Sequence, residues 1–208
     1  MRSEFAWSLL LAALITLGTG ARAGETGASP ADGTFSGQSA ALFTAPAPTE
    51  ARPAAPAITY SNQWLDSLPA AEGGDDFACL AEALYFEARG ERVRGQFAVA
   101  EVILNRVDSA LYPDTVCGVV HQGTGKRYRC QFTYTCDGQK EIIREQRAYS
   151  RVAKIARLML DGAGRDLTAG ATHYHTNAVS PRWARSFART ATIGAHHFYR
   201  QPGSQTKG

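Results

Sequence analysis

Residues 95–107 constrain this chain more than any other stretch. Phe97, Val99, Ala100, Val102, Ile103, Leu104 and Val107 would surround a helix almost completely. Such a helix cannot lie on a surface, so other elements must pack around it. The sequence on either side supplies them. Asp75 and Asp76 can cap a helix whose apolar residues recur at Phe77, Leu80, Ala81, Leu84 and Ala88, with Gly90 as its stop. A third, long helix is expected over about residues 139–161, with Ala148, Val152, Ile155, Ala156, Met159 and Leu160 inward and Gly162 ending it. Residues 113–138 read as loops with a short helical turn and a hairpin. Residues 172–176 and 190–199, the latter divided by Gly194, read as short strands. The expected class is α+β, mostly α, with a small β element.

The N-terminal part has a different character. Residues 1–23 have a basic start at Arg2, an apolar core from Phe5 to Leu17, and an Ala21-Arg22-Ala23 exit. That is the layout of a secretory signal peptide cleaved after Ala23. Its apolar core of about 12 residues is short of the ~20 that span a bilayer, and no later stretch could serve as a transmembrane segment. Residues 24–74 are expected to be a low-complexity linker: 26 of the 34 residues in 24–57 are Ala, Gly, Pro, Ser or Thr. Such composition buries too little surface to offset the entropy of ordering. Residues 58–74, with Trp64, Leu65 and Leu68, can either pack on the domain or stay loose. One compact domain is then expected over 75–200, with a disordered tail at 201–208.

Four cysteines, Cys79, Cys117, Cys130 and Cys136, fall inside that domain. In an exported chain an even count reads as two disulfides, with three connectivities open. The one favoured here uses Cys130–Cys136 as a local clip and Cys79–Cys117 as a longer staple. C-x-x-C spacing and an odd cysteine are both missing, which argues against a zinc knuckle or a thiol nucleophile. Residues 75–200 carry 18 Lys/Arg against 13 Asp/Glu. Outside the cytoplasm, that balance favours cell wall or anionic lipid over nucleic acid, although an ordinary solvated surface accounts for it equally well.

Glu87 is the most informative residue. At about 100° per residue, with Leu80 as origin, Leu84 falls near 40°, Ala88 near 80° and Glu87 near −20°. Glu87 therefore points into the buried stripe, while Glu82 points to solvent. Burial and the negative end of the helix dipole both raise its pKa, leaving an acid that still holds its proton near neutral pH. General acid cleavage of a glycosidic bond needs such a group. The competing role is structural: a buried Glu87 paired with Arg89 or Arg106.

The segments CLAEALYFEARGE at 79–91, GQFAVA at 95–100 and VILNRV at 102–107 together resemble the SleB-type cell-wall hydrolases. These include spore cortex-lytic enzymes and relatives in Gram-negative bacteria. The resemblance continues through VCGVVHQ at 116–122, CQFTYTCDG at 130–138, GATHYH at 170–175 and IGAHHFY at 193–199. It implies a lysozyme-like fold and a lytic transglycosylase acting on peptidoglycan, with no cofactor and with Glu87 as the catalytic glutamate. No N-terminal peptidoglycan-binding domain of the spore-enzyme kind is recognisable, so germination is not implied; wall remodelling by an exported monomer, periplasmic or wall-associated, is expected.

Other residues add candidates. Gln131, Phe132, Tyr134 and Asp137 lie in a loop that could line a glycan groove, because aromatic faces stack on sugars and amides bond N-acetyl groups; Gln131 and Tyr134 rank first. Asp137-Gly138 is equally a structural turn signal. Tyr174 is a further substrate-binding candidate, on the strand face opposite His173 and His175, so one set alone is expected to line the groove. His173, His175 and His196 could hold zinc, as in a wall amidase or peptidase, and a non-catalytic wall-binding module is the third alternative. The family resemblance implies no metal. Glu91 and Asp137 are candidates for a second carboxylate, Glu91 being favoured as structural.

Overall fold

The computed structural model describes residues 57–126 and 129–204. The expected signal peptide, the linker up to residue 56 and the last four residues lie outside the described part. Five α-helices precede a small sheet: α1 (Asn62–Ser67), α2 (Asp75–Ala88), α3 (Val93–Val107), α4 (Val116–Val120) and α5 (Gln146–Leu160), then β1 (His173–Thr176), β2 (Ala188–Ile193) and β3 (His196–Arg200). The sheet is antiparallel with order β1-β3-β2. Gly194, in left-handed conformation, makes the turn between β2 and β3.

Helix α3 is buried along most of its length, as its composition demands. On one side it meets α2, α4 and α5 through Phe97, Val99, Ala100 and Ile103; on the other, Ala98 and Val102 meet Ala171, Ile193 and Phe198 of the sheet region. Upstream, α1 is capped by Ser61, whose side chain accepts from the Trp64 amide, and its Leu65 is fully buried. Lys154 of α5 donates to the Leu65 carbonyl at 2.8 Å. Of the two alternatives for residues 58–74 the packed one holds, so the packed unit starts before Asp75. The C-terminal boundary shifts too. Gln201, expected in the disordered tail, accepts from the Tyr112 hydroxyl, and its amide donates to Thr172 Oγ1 at 3.1 Å.

Two expected details differ. Asp75 and Asp76 sit in the first turn of α2 instead of capping it; Gly74 is the cap residue, and Asp76 accepts from the Cys117 amide at 3.0 Å. Helix α5 starts at Gln146, not near residue 139. The Tyr85 hydroxyl accepts from the amides of both Arg144 and Glu145, at 3.1 Å each, and Asp137 takes the amide of Gln139. Donors spent on side chains cannot serve a helical ladder, so this segment stays outside the helix. Residues 113–138 hold α4 and a 3₁₀ turn at Thr133–Cys136, with no hairpin among their described residues. The disulfides are Cys79–Cys117, joining α2 to α4, and Cys130–Cys136, closing the loop around that turn.

Candidate active site

A cavity of about 230 Å³ opens where α2, α3, the 130s loop and edge strand β1 meet. Glu87, Arg106, Gln131, Phe132, His173, Tyr174 and Trp183 line it. Glu87 reaches it from the last turn of α2. Burial raises its pKa, while a hydrogen bond from Tyr174 and the Arg106 charge pull the other way. The Tyr174 hydroxyl donates to Glu87 Oε2 at 3.2 Å. Burial and the neighbouring Glu87 carboxylate hold the Tyr174 phenol well above its ordinary value, so it stays a donor. Glu82, expected on the solvent face, is half-buried and is also raised by burial.

The ion pair that would make Glu87 structural does not form among the described residues. Arg89 turns outward to Glu145 at 3.1 Å. Arg106 is 1% exposed yet bonds two carbonyl groups. Its Nε donates to the Thr172 backbone oxygen at 2.6 Å. With the Gln131 amide oriented to suit a donor-only neighbour, its side-chain oxygen accepts from both terminal guanidinium nitrogens at 3.0 and 3.1 Å. Phe132 and Tyr112 face the same guanidinium at 5.6 and 5.5 Å. The buried cation thus ties β1 and the 130s loop to α3, and its field reaches Glu87 without a contact.

His173 and Tyr174 both line the cavity, contrary to the expectation that strand alternation would admit one set alone. Strand β1 is an edge, so side chains from either face can reach around it. Burial and the Arg106 charge push His173 down to about 4, so its imidazole is neutral at physiological pH. It lies 5.0 Å from the Trp183 ring. His175 is on the same face, stacked on Tyr199. His196 is on the other face, against Tyr174 and 3.3 Å from Glu91. The three histidines of the zinc alternative therefore do not converge, and no cluster of metal-ligating side chains occurs among the described residues.

Of the remaining candidates, Tyr134 is only 8% exposed and stacks on Phe86 at 4.6 Å, behind the cavity instead of in it. Asp137 is exposed and closes its own turn. Glu91 packs under the Gly194 turn, so close that a side chain at Gly194 would collide with its Oε2. Sequence reasoning passed over Trp183 and gave Arg106 only the role of a partner for Glu87. Trp183 carried a signal, a large aromatic set between Arg182 and Arg185 in an arginine-rich segment. Arg106 carried none, because its partners are remote in sequence.

A family model described as Cell Wall Hydrolase matches residues 90–199, starting just downstream of Glu87. The spore cortex-lytic enzyme of Halalkalibacterium halodurans is 36% identical over 134 residues, 64% of this chain and 37% of that protein. That of Bacillus subtilis is 36% identical over 135 residues, again 64% of this chain and 40% of the relative. The chain thus spans less than half the length of these curated relatives. Among solved structures, the catalytic domain of the germination-specific lytic transglycosylase SleB from Bacillus anthracis is 33% identical and matched over its full length, covering 64% of this chain with a TM-score of 0.48. The family match takes in more than half of the residues, and the chain belongs to the Cell Wall Hydrolase family.

Proposed function

We propose that this protein cuts the glycan strands of peptidoglycan as a lytic transglycosylase, with Glu87 as acid and then base. One observation carries the reading. Among the described residues lining the cavity there is a single carboxylate, half-buried and inclined to keep its proton. Hydrolysis by the usual route needs a second carboxylate, about 5–9.5 Å away, and neither Glu91 nor Asp137 lines the cavity. One carboxylate suffices when the sugar supplies its own nucleophile.

Protonated Glu87 donates to the oxygen linking N-acetylmuramic acid to N-acetylglucosamine, and the C1–O bond breaks towards an oxocarbenium-like state. Glu87, now a carboxylate, takes the proton of the muramyl 6-hydroxyl as that oxygen closes onto C1. The product is a 1,6-anhydro end, with no water consumed and Glu87 reprotonated. Burial favours the acid that starts the cycle. The Tyr174 hydroxyl and the Arg106 charge favour the carboxylate that exists between the two transfers. Trp183 offers a face for a sugar ring, and Gln131 and Tyr174 offer polar contacts; Phe132 and Tyr134 are buried and support the wall.

The family description, Cell Wall Hydrolase, supports action on the wall. The setting proposed is wall remodelling by an exported monomer, outside germination. Mass analysis of sacculi digested by wild type and Glu87→Gln tests the reading. Anhydromuramyl ends are expected from wild type and none from the variant. Reducing ends alone would replace transglycosylation by hydrolysis, and an active Glu87→Gln would remove Glu87 from the mechanism.

A further inference from the structure

From Leu167 to the last residue the chain has no Asp or Glu, yet Arg182, Arg185, Arg189, Arg200 and Lys207 fall there. Elsewhere five arginines are matched with acids, Arg89 with Glu145, Arg147 and Arg151 with Asp66, Arg157 with Asp161, and Arg165 with Asp108, whereas the exposed Arg92, Arg94, Arg129 and Arg144 are scattered without such partners among the described residues. Arg182, Arg185 and Arg189 are exposed, and none of them forms an ion pair among the described residues.

These three cluster. Arg182 and Arg185 open and close one 3₁₀ turn, whose period of about three residues puts them on the same side. Trp183, between them, packs its ring 5.4 Å from Tyr199, and Arg189 is the register partner of Tyr199 across the sheet. Trp183 also lines the cavity with Glu87. A cationic surface backed by aromatic rings therefore runs outward from the cavity along the outer face of the sheet.

We infer that this surface binds the carboxylates of the peptide stems that branch from the glycan strand, so that the preferred substrate is peptide-bearing strand and not bare glycan. The inference rests on the peptidoglycan reading above. Stems hang from the lactyl group of the muramyl residue, the sugar whose bond is cut, so their carboxylates lie near any strand seated over Glu87. Guanidinium forks match carboxylates with two parallel hydrogen bonds. An anionic membrane is a poorer fit: Val179 is the one large apolar side chain exposed in this stretch among the described residues, too little to insert into lipid.

The test uses the full chain carrying Glu87→Gln, so that binding is read without cleavage. Co-sedimentation is measured with intact sacculi, with sacculi stripped of stems by an amidase, and with phosphatidylglycerol vesicles. Stripping is expected to weaken binding about tenfold, and Arg182→Gln/Arg185→Gln/Arg189→Gln to weaken binding to intact sacculi by about as much, with no effect on stripped ones. The triple lysine variant, which keeps the charge but lacks the fork, should recover part of the loss and keep the parent melting point. Equal binding to stripped and intact sacculi, or a triple glutamine variant that binds like its parent, would overturn the inference. So would loss of vesicle binding with sacculus binding intact. Failure of wild type to release fragments from sacculi would instead break the peptidoglycan reading.

Discussion

The helical and sheet sides of this molecule handle charge in opposite ways. Around α1, α2 and α5, most surface arginines on the helices themselves meet carboxylates, and Asp66 alone holds both Arg147 and Arg151. On the outer face of the sheet, histidines and aromatic rings pack on one another, and the arginines beside them face solvent without an acid. A surface whose charges are cancelled internally needs nothing from outside. One left cationic repels itself and is relieved only by an anion from elsewhere. The cavity lies on the seam, taking its carboxylate from the helical side and its tyrosine, histidine and tryptophan from the other.

The largest effect should come from the seam. Glu87→Gln is expected to lower turnover by at least about 10²–10⁴-fold with a melting point unchanged or slightly higher. A group whose pKa is raised on folding stabilises below its unfolded pKa, and that contribution is lost as pH rises through the folded value. The melting advantage of the amide should therefore grow with pH. A much lower melting point at neutral pH would mean that Glu87 holds the fold.

Next in size are the disulfides, which separate the two sides. Cys79–Cys117 spans 38 residues of sequence and Cys130–Cys136 spans 6. By loop entropy their loss costs about 4 and about 2 kcal/mol respectively. Replacing the first pair by alanine should cost stability and leave the activity of the folded fraction intact. Replacing the second should cost less stability and more activity, because that loop carries Gln131 and Phe132. Denaturant titration beside turnover reads both, and equal loss of activity in the two variants would erase the distinction.

Arg106→Met strands the carbonyls of Thr172 and Gln131, each unsatisfied acceptor costing about 1–3 kcal/mol. Arg106→Lys keeps the charge but lacks the fork, so it should recover part of the stability and little of the activity. The smallest effect concerns acid. Unfolded, the His173 imidazole takes up its proton near 6.5, and folded only near about 4. The unfolded chain thus binds more protons between those values, and stability falls as pH drops across that window. His173→Phe should flatten the slope of melting temperature against pH from 6.5 to 4.

Where local periodicity determined the outcome, the sequence was readable. Helices α2 and α3 lie close to where their apolar spacing put them, and the same arithmetic turned Glu87 inward. It was less readable where a distant side chain intervened. No local rule connects the Tyr85 hydroxyl to the amides of Arg144 and Glu145, so the start of α5 was set too early. Likewise, Arg106 sits in an otherwise apolar helix and acts through residues 131 and 172, a convergence that exists only after folding. Strand alternation separated His173 from Tyr174 correctly by face; that both border one cavity follows from β1 being an edge.

The strand order has a consequence for timing. Strands β1 and β2 never pair with each other; each pairs only with β3, which comes last in the chain. As the chain folds, β1 gains a ladder only when β3 is in place. Tyr174, which donates to Glu87, stands opposite Phe198 of β3. The hydroxyl beside Glu87 thus sits on a strand whose only described ladder is made by β3, so a disturbance of β3 would be felt at the cavity.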